Sequence, residues 1–180
     1  MRSIFESLYE KYHQDIFQFI FYMVKNREQT EDLVQEVYIK VLKSYDKFKG
    51  DSSEKTWLFS IARHVTIDFF RKQERKRKRL LEFFDWEKKG EQIKDQQPLP
   101  EEIAEKNEQI QILYEHLDKL TVDQRSVIIL RFIQLMSIQE TADILGWSIS
   151  KVKTTQHRGM KVLQDLMADQ RKEGDNYEAK

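Results

Sequence analysis

Cysteine is absent from the 180 residues, which excludes disulfide scaffolds, thiolate zinc sites and cysteine nucleophiles together. Proline occurs twice and glycine five times, too few for a loop-rich or β-rich fold. The longest apolar run, Ile16 to Val24, has nine residues and includes Gln18, far short of the roughly 20 that span a bilayer. With no basic-then-apolar signal pattern at the N-terminus either, a cytoplasmic protein without direct membrane insertion is expected. Net charge is also missing, 31 basic residues against 31 acidic, so any nucleic-acid site must arise from local segregation of charge. Catalytic signatures are lacking too. The histidines at 13, 64, 116 and 157 form no H-E-x-x-H pair, and there is no Gly-rich phosphate loop or nucleophile elbow. Asp32 with Glu36 could in principle hold a metal, but without further ligands the pair reads as solvated helix acids. No catalytic residue, metal or cofactor is expected, and an enzyme is poorly supported.

What is present is helical periodicity and segregated charge. With 39% hydrophobic and 34% charged residues, the chain can bury one modest core or two small ones beneath long exposed helix faces. From Arg63 to Arg79 there are eight bases and two acids, whereas Glu82 to Glu108 holds nine acids and four bases. Both prolines, Pro98 and Pro100, fall in the acidic stretch and oppose a continuous helix. These shifts predict an all-α fold with a helical domain over 1–81, an acidic linker over 82–106, a second helical domain over 107–170 and a frayed tail over 171–180.

The first helix is predicted over Ser3 to Met23, apolar nearly all round in its second half and so either packed on more than one side or presenting an interface. A second is capped at Thr30 and runs to Tyr45, with Leu33, Val34, Val37 and Val41 inward. Its outer face sets Ile39 among Asp32, Gln35 and Lys43, a framing that suits a small docking patch as well as plain solvated surface. The serines of Lys49 to Ser53 can cap a third helix. Trp57, Leu58, Ile61, Ala62, Val65 and Phe69 lie on one side of it, with Phe59, Arg63, Thr66 and Phe70 near the other. Aromatics running into a dense basic tract are what stacking on unpaired bases beside a phosphate backbone requires; taken singly, each aromatic can equally be core.

Ser137 to Met167 reads as two helices across a tight turn. Ser137 and Glu140 make a capping box, Gly146 ends the first helix, and Ser148 caps the next. On the second, Ile149, Val152, Gly159, Met160, Leu163, Leu166 and Met167 fall inward. Lys151, Thr154, His157, Arg158 and Lys161 fall outward, with Lys153 at the edge. No carboxylate occurs from Trp147 through Gln164. Such a face suits the phosphate-lined major groove; a solvated αα-hairpin is the alternative.

The stretch TEDLVQEVYIKVLKSYDKFKGDSSEKTWLFSIARHVTIDFFRK resembles region 2 of an extracytoplasmic-function (ECF) sigma factor. LTVDQRSVIILRFIQLMSIQETADILGWSISKVKTTQHRGMKVL resembles region 4, in the family's order across an acidic linker. The resemblance implies a stress-response type of transcription initiation subunit that binds core RNA polymerase, directs it to promoter DNA, assists strand opening and is restrained by an anti-sigma factor, which could hold it at the membrane. It implies polymerase docking through Asp32, Gln35 and Glu36, and gives Ile39 a purpose. Lys49, Asp51, Ser52, Trp57, Arg63 and His64 would meet the non-template strand of the −10 element. His64 stands where many members carry asparagine, which leaves the captured base open. Lys153, Thr154 and Arg158 match positions that contact the −35 element, with Lys151, His157 and Lys161 on the same face. Lys153 and Thr155 stand where several members have arginine, so some readout would rest on backbone contact and DNA shape. The competing function is a helix-turn-helix regulator of duplex DNA, which has no use for the aromatic and basic helix near Trp57 to Arg79.

Overall fold

The computed structural model describes residues 3–84 and 100–178, and every regular element among them is helical. Helix α1 (Ile4–Val24) starts at the Ser3 hydroxyl, which accepts the Glu6 N–H at 3.2 Å while the Glu6 carboxylate accepts the Ser3 N–H at 2.9 Å. Its second half is buried nearly all round, from Phe19 through Met23, because α2, α3 and the C-terminal unit all pack on it.

Helix α2 (Arg27–Ser44) begins before Thr30, the expected cap. The Asn26 side chain caps it instead, accepting the Gln29 N–H at 2.9 Å, and Thr30 is buried with its hydroxyl donating to the Asn26 carbonyl at 2.6 Å. Asparagine ranks above threonine as a cap, and here it follows directly on the left-handed Lys25 that ends α1.

Ser53 caps α3 (Glu54–Phe84), its hydroxyl accepting the Thr56 N–H at 3.0 Å. Leu58, Ala62 and Val65 are buried as their stripe predicts, yet Phe59 and Thr66, assigned to the other side, are fully buried too. The helix is covered by α1, α2 and α7, and the Phe59 ring meets Phe19 of α1 edge-on at 5.6 Å. Beyond Phe70 α3 leaves the body of the protein and stays exposed to Phe83, three residues past the expected boundary at 81 being helical.

The C-terminal unit comprises α4 (Glu101–Ala104), α5 (Glu108–His116), α6 (Val122–Ile128) continuing into a π-helical turn (Ile129–Ile133), α7 (Ile138–Leu145) and α8 (Ile149–Glu178). Most of the expected linker, 85–99, lies outside the described residues. Its C-terminal end holds α4, whose Ile103 is 1% exposed and belongs to the core. Helix α8 continues through 171–178, where a frayed tail is expected. It crosses α6 closely at Gly159, where a Cβ would stand 3.3 Å from Ile128 Cγ1 and 3.4 Å from Gln124 Cβ.

The two units pack into one core. Between them the Arg125 guanidinium donates to the Met23 carbonyl at 2.5 Å and to the Leu117 carbonyl at 2.8 Å, and lies 5.7 Å from the Phe70 ring. Gln134 donates to the Gln18 side-chain oxygen at 2.8 Å. Tyr114 stacks on Phe21 at 5.9 Å and meets Tyr22 edge-on at 5.7 Å.

Candidate nucleic-acid interface

The C-terminal candidate face is built by α7 and α8. Ser137 and Glu140 form the expected capping box, the Ser137 amide holding the Glu140 carboxyl below its ordinary pKa. Gly146 takes a left-handed φ of 66° and ends α7. Ser148 then caps α8 by accepting the Lys151 N–H at 3.1 Å. Val152, Gly159 and Leu163 turn inward and are buried, while Lys151, Lys153, Thr154, His157, Arg158 and Lys161 are all exposed. Ile149, placed inward by its spacing, is 41% exposed. Lys151 Nζ sits 3.8 Å above the Trp147 ring. Lys153, Arg158 and Lys161 form no ion pair with the described residues.

The N-terminal candidate face is less uniform. Lys49, Asp51 and Ser52 are exposed on a turn that needs the positive φ of Gly50, 75°. Trp57 closes the turn from below, half-buried, 4.9 Å from the Phe48 ring and 5.9 Å from Tyr45. His64 is exposed, with Nδ1 2.6 Å from the Ser60 carbonyl oxygen. A carbonyl only accepts, so Nδ1 carries the hydrogen and Nε2 is left for another partner. Arg63 is set apart from these residues. It is half-buried against the C-terminal unit, 5.8 Å from the Trp147 ring, and burial lowers its pKa against the opposing pull of Asp123.

On α2, Asp32, Gln35 and Ile39 are exposed, Ile39 by 51%, while Glu36 is half-buried and pairs with Lys40 at 3.5 Å. Gln35 and Ile39 border a groove of about 1010 Å³ between α1 and α2, lined by Phe5, Tyr9, His13, Phe17, Tyr38 and Leu42. Tyr9 and Leu42, both exposed, carry no mark in the sequence that sets them apart; helical spacing does not separate a groove wall from core. Phe132 and Leu135 are likewise exposed on the C-terminal unit, Leu135 at a left-handed φ of 54°.

His13 stacks on Tyr9 at 4.3 Å, and its Nδ1 is buried without a hydrogen-bond partner. Burial lowers its pKa from the ordinary 6.5, so the folded chain favours the neutral ring. Below that value the unfolded chain binds the extra proton first. The stability His13 contributes is therefore complete above the unfolded pKa and declines as pH falls toward the folded one. Melting temperatures measured between about pH 7.5 and 5.5 should fall less for His13→Gln than for the parent; parallel slopes would show that His13 does not titrate on unfolding.

Residues 8–76 match Sigma-70 region 2 and residues 110–163 match Sigma-70 region 4, which are the units built around α1–α3 and α5–α8. The chain is 60% identical, over 93% of its length and 85% of the relative's, to the ECF RNA polymerase sigma factor SigX of Bacillus subtilis (strain 168). The chain belongs to the ECF sigma factors. This sigma factor is also 34% identical to the RNA polymerase sigma factor YlaC of Bacillus subtilis (strain 168), over 96% of each chain. Its fold matches the sigma factor RpoE of Bartonella quintana, solved in complex with the anti-sigma factor NepR, with a TM-score of 0.69, 26% identity and coverage of 91% of this chain and 96% of that one. It is an alternative initiation subunit that works with core RNA polymerase at promoter DNA. Sigma factors in general are not enzymes. Among the described residues no helix is long and apolar enough to cross a membrane, and no cluster of potential metal ligands occurs.

Proposed function

We propose that this sigma factor divides promoter recognition between the two units. The outer face of α8 holds the −35 duplex through Lys153, Thr154 and Arg158, flanked by Lys151, His157 and Lys161. The turn Lys49 to Ser52, with Trp57 beneath it and His64 beside it, takes the unpaired −10 strand. The observation that carries this reading is the α8 face, six exposed cationic or polar side chains with no carboxylate among them. Arg63 joins the −10 surface only when α3 parts from the Trp147 turn, which covers it in the packed arrangement. The chain acts without catalytic groups or cofactor, in the cytoplasm. An anti-sigma factor is its proposed restraint, by likeness to the NepR-bound RpoE.

Core polymerase docks on α2 through Asp32, Gln35, Glu36 and Ile39. Ile39→Glu with Gln35→Ala should leave helical circular dichroism unchanged, because both side chains point to solvent, and weaken core binding about tenfold, near 1.4 kcal/mol. Unaltered co-elution with polymerase subunits would discard the docking face, and loss of helicity would show that it is structural.

A further inference from the structure

Helix α3 and the first turn of α6 enclose a cleft of about 540 Å³. Arg63, Ile67, Phe70, Arg71, Glu74 and Arg75 reach it from one face of α3, and Val122 and Asp123 close it from α6. Ile67, Phe70 and Val122 are half-buried and give the cleft apolar walls. Its cations are short of partners. Arg63 Nε is buried without a hydrogen-bond partner. Burial lowers the Arg63 pKa, Asp123 opposes that, and the Arg71 charge adds to it, so two guanidiniums repel one another where an anion would hold both. Arg75 forms no ion pair with the described residues. Arg71 has only the exposed Asp68, at 3.8 Å, a kind of pair that contributes little. Glu74 is engaged by Arg77 and Lys78 at 3.7 and 3.4 Å, which leaves Asp123 as the cleft carboxylate without an ion pair among the described residues.

We propose that this cleft binds a free nucleotide, with its phosphates on Arg63, Arg71 and Arg75 and its base against Ile67, Phe70 and Val122. Guanidinium forks match phosphate oxygens two at a time. An inorganic phosphate would use the charge and leave the apolar walls in water, whereas a planar base covers them. Asp123 can accept from a ribose hydroxyl, as carboxylates do in dinucleotide sites. The volume falls within the range of about 300–1,000 Å³ usual for small-molecule sites. A ligand held by α3 and α6 at once joins the two units and favours the packed arrangement, in which Arg63 lies against Trp147. Only the consequence of that for DNA rests on the proposed −10 surface; the cleft itself does not.

The test titrates the free chain calorimetrically with GDP, ADP and inorganic pyrophosphate. At least one nucleotide should bind about tenfold more tightly than pyrophosphate, since the walls add to the charge. Arg71→Gln/Arg75→Gln should weaken that binding by at least about tenfold. Arg77→Gln/Lys78→Gln, which removes the same charge outside the cleft, should match the parent; glutamine keeps helix propensity in both. Val122→Trp, which fills the cleft from α6 at constant charge, should weaken binding as far while circular dichroism stays unchanged. If that variant loses helicity, the two arginine variants decide. No nucleotide binding at millimolar concentration, equal affinity for pyrophosphate, equal loss in the control, or undiminished binding to folded Val122→Trp would overturn the site. Full displacement of the nucleotide by a single-stranded DNA dodecamer at equal phosphate concentration would overturn it too, assigning the arginines to a nucleic-acid backbone.

Discussion

Arg125→Ala is expected to lower stability by about 2–4 kcal/mol and to separate the two units. The side chain is 9% exposed and its guanidinium is the donor to Leu117 in its own unit and Met23 in the other. Hydrogen bonds to a charged group contribute about 1.5–3 kcal/mol each, and removing the donor strands two buried carbonyls. The loss is moderated because burial already opposes the charge, lowering the Arg125 pKa, with Asp118 acting the other way. Arg125→Lys should recover only part of it, since a single ammonium lacks the planar fork that spans two acceptors. Denaturant melts measure the stability, and small-angle scattering of the free protein measures the separation as a larger radius of gyration. A lowered melting point with an unchanged radius would reduce Arg125 to a brace for the Leu117 turn. An expanded chain would also uncover Arg63, which the packed units hold against Trp147.

Arg125 is also where reading the sequence stops. The caps at Ser53, Ser137 and Ser148 and the stop at Gly146 were legible, because each is a bond between side chain and backbone within three or four residues, or a φ that glycine favours. The outward set of α8 was legible for a similar reason, helical periodicity with one face free of carboxylate. Thr30 was misread because two capping residues stand close together and the chain uses the earlier one. Phe59 and Thr66 were put on the outer side of α3 because periodicity assumes one buried stripe, whereas α1, α2 and α7 all pack on this helix and the Phe59 ring meets Phe19 of α1. The contacts of Arg125 with Met23, Gln134 with Gln18 and Arg63 with Trp147 join distant parts of the chain. No local pattern encodes them, so the position of Arg63 beneath the Trp147 turn had no signal in the sequence. Ile39 was the reverse case, an apolar residue whose polar helix neighbours already placed it outside.

The proposed division of labour between the two candidate DNA surfaces predicts opposite effects on duplex and opened promoters. Lys153 and Arg158 are exposed on α8 without acidic partners among the described residues, so their replacement by alanine should weaken holoenzyme binding to duplex promoter by about 1–3 kcal/mol for each base-contacting residue. Where a side chain meets phosphate instead, the loss should be uniform across sequences and the salt slope should drop by about 1. His64 is exposed, with Nδ1 engaged by the Ser60 carbonyl and Nε2 left for another partner. His64→Ala should therefore leave initial duplex binding nearly intact while it reduces strand opening or changes which −10 sequence is accepted, because an unpaired base loses a stacking and hydrogen-bonding partner. Permanganate reactivity of unpaired thymines, measured with core polymerase on duplex and pre-melted templates, separates the two. The α8 variants should regain little on the pre-melted template, since their loss precedes opening. A defect in His64→Ala should shrink there if it lies in opening, and persist in a sequence-dependent way if it lies in base capture. A sequence-independent His64→Ala defect equal on both templates, or duplex binding untouched by loss of Lys153 and Arg158, would refute the division.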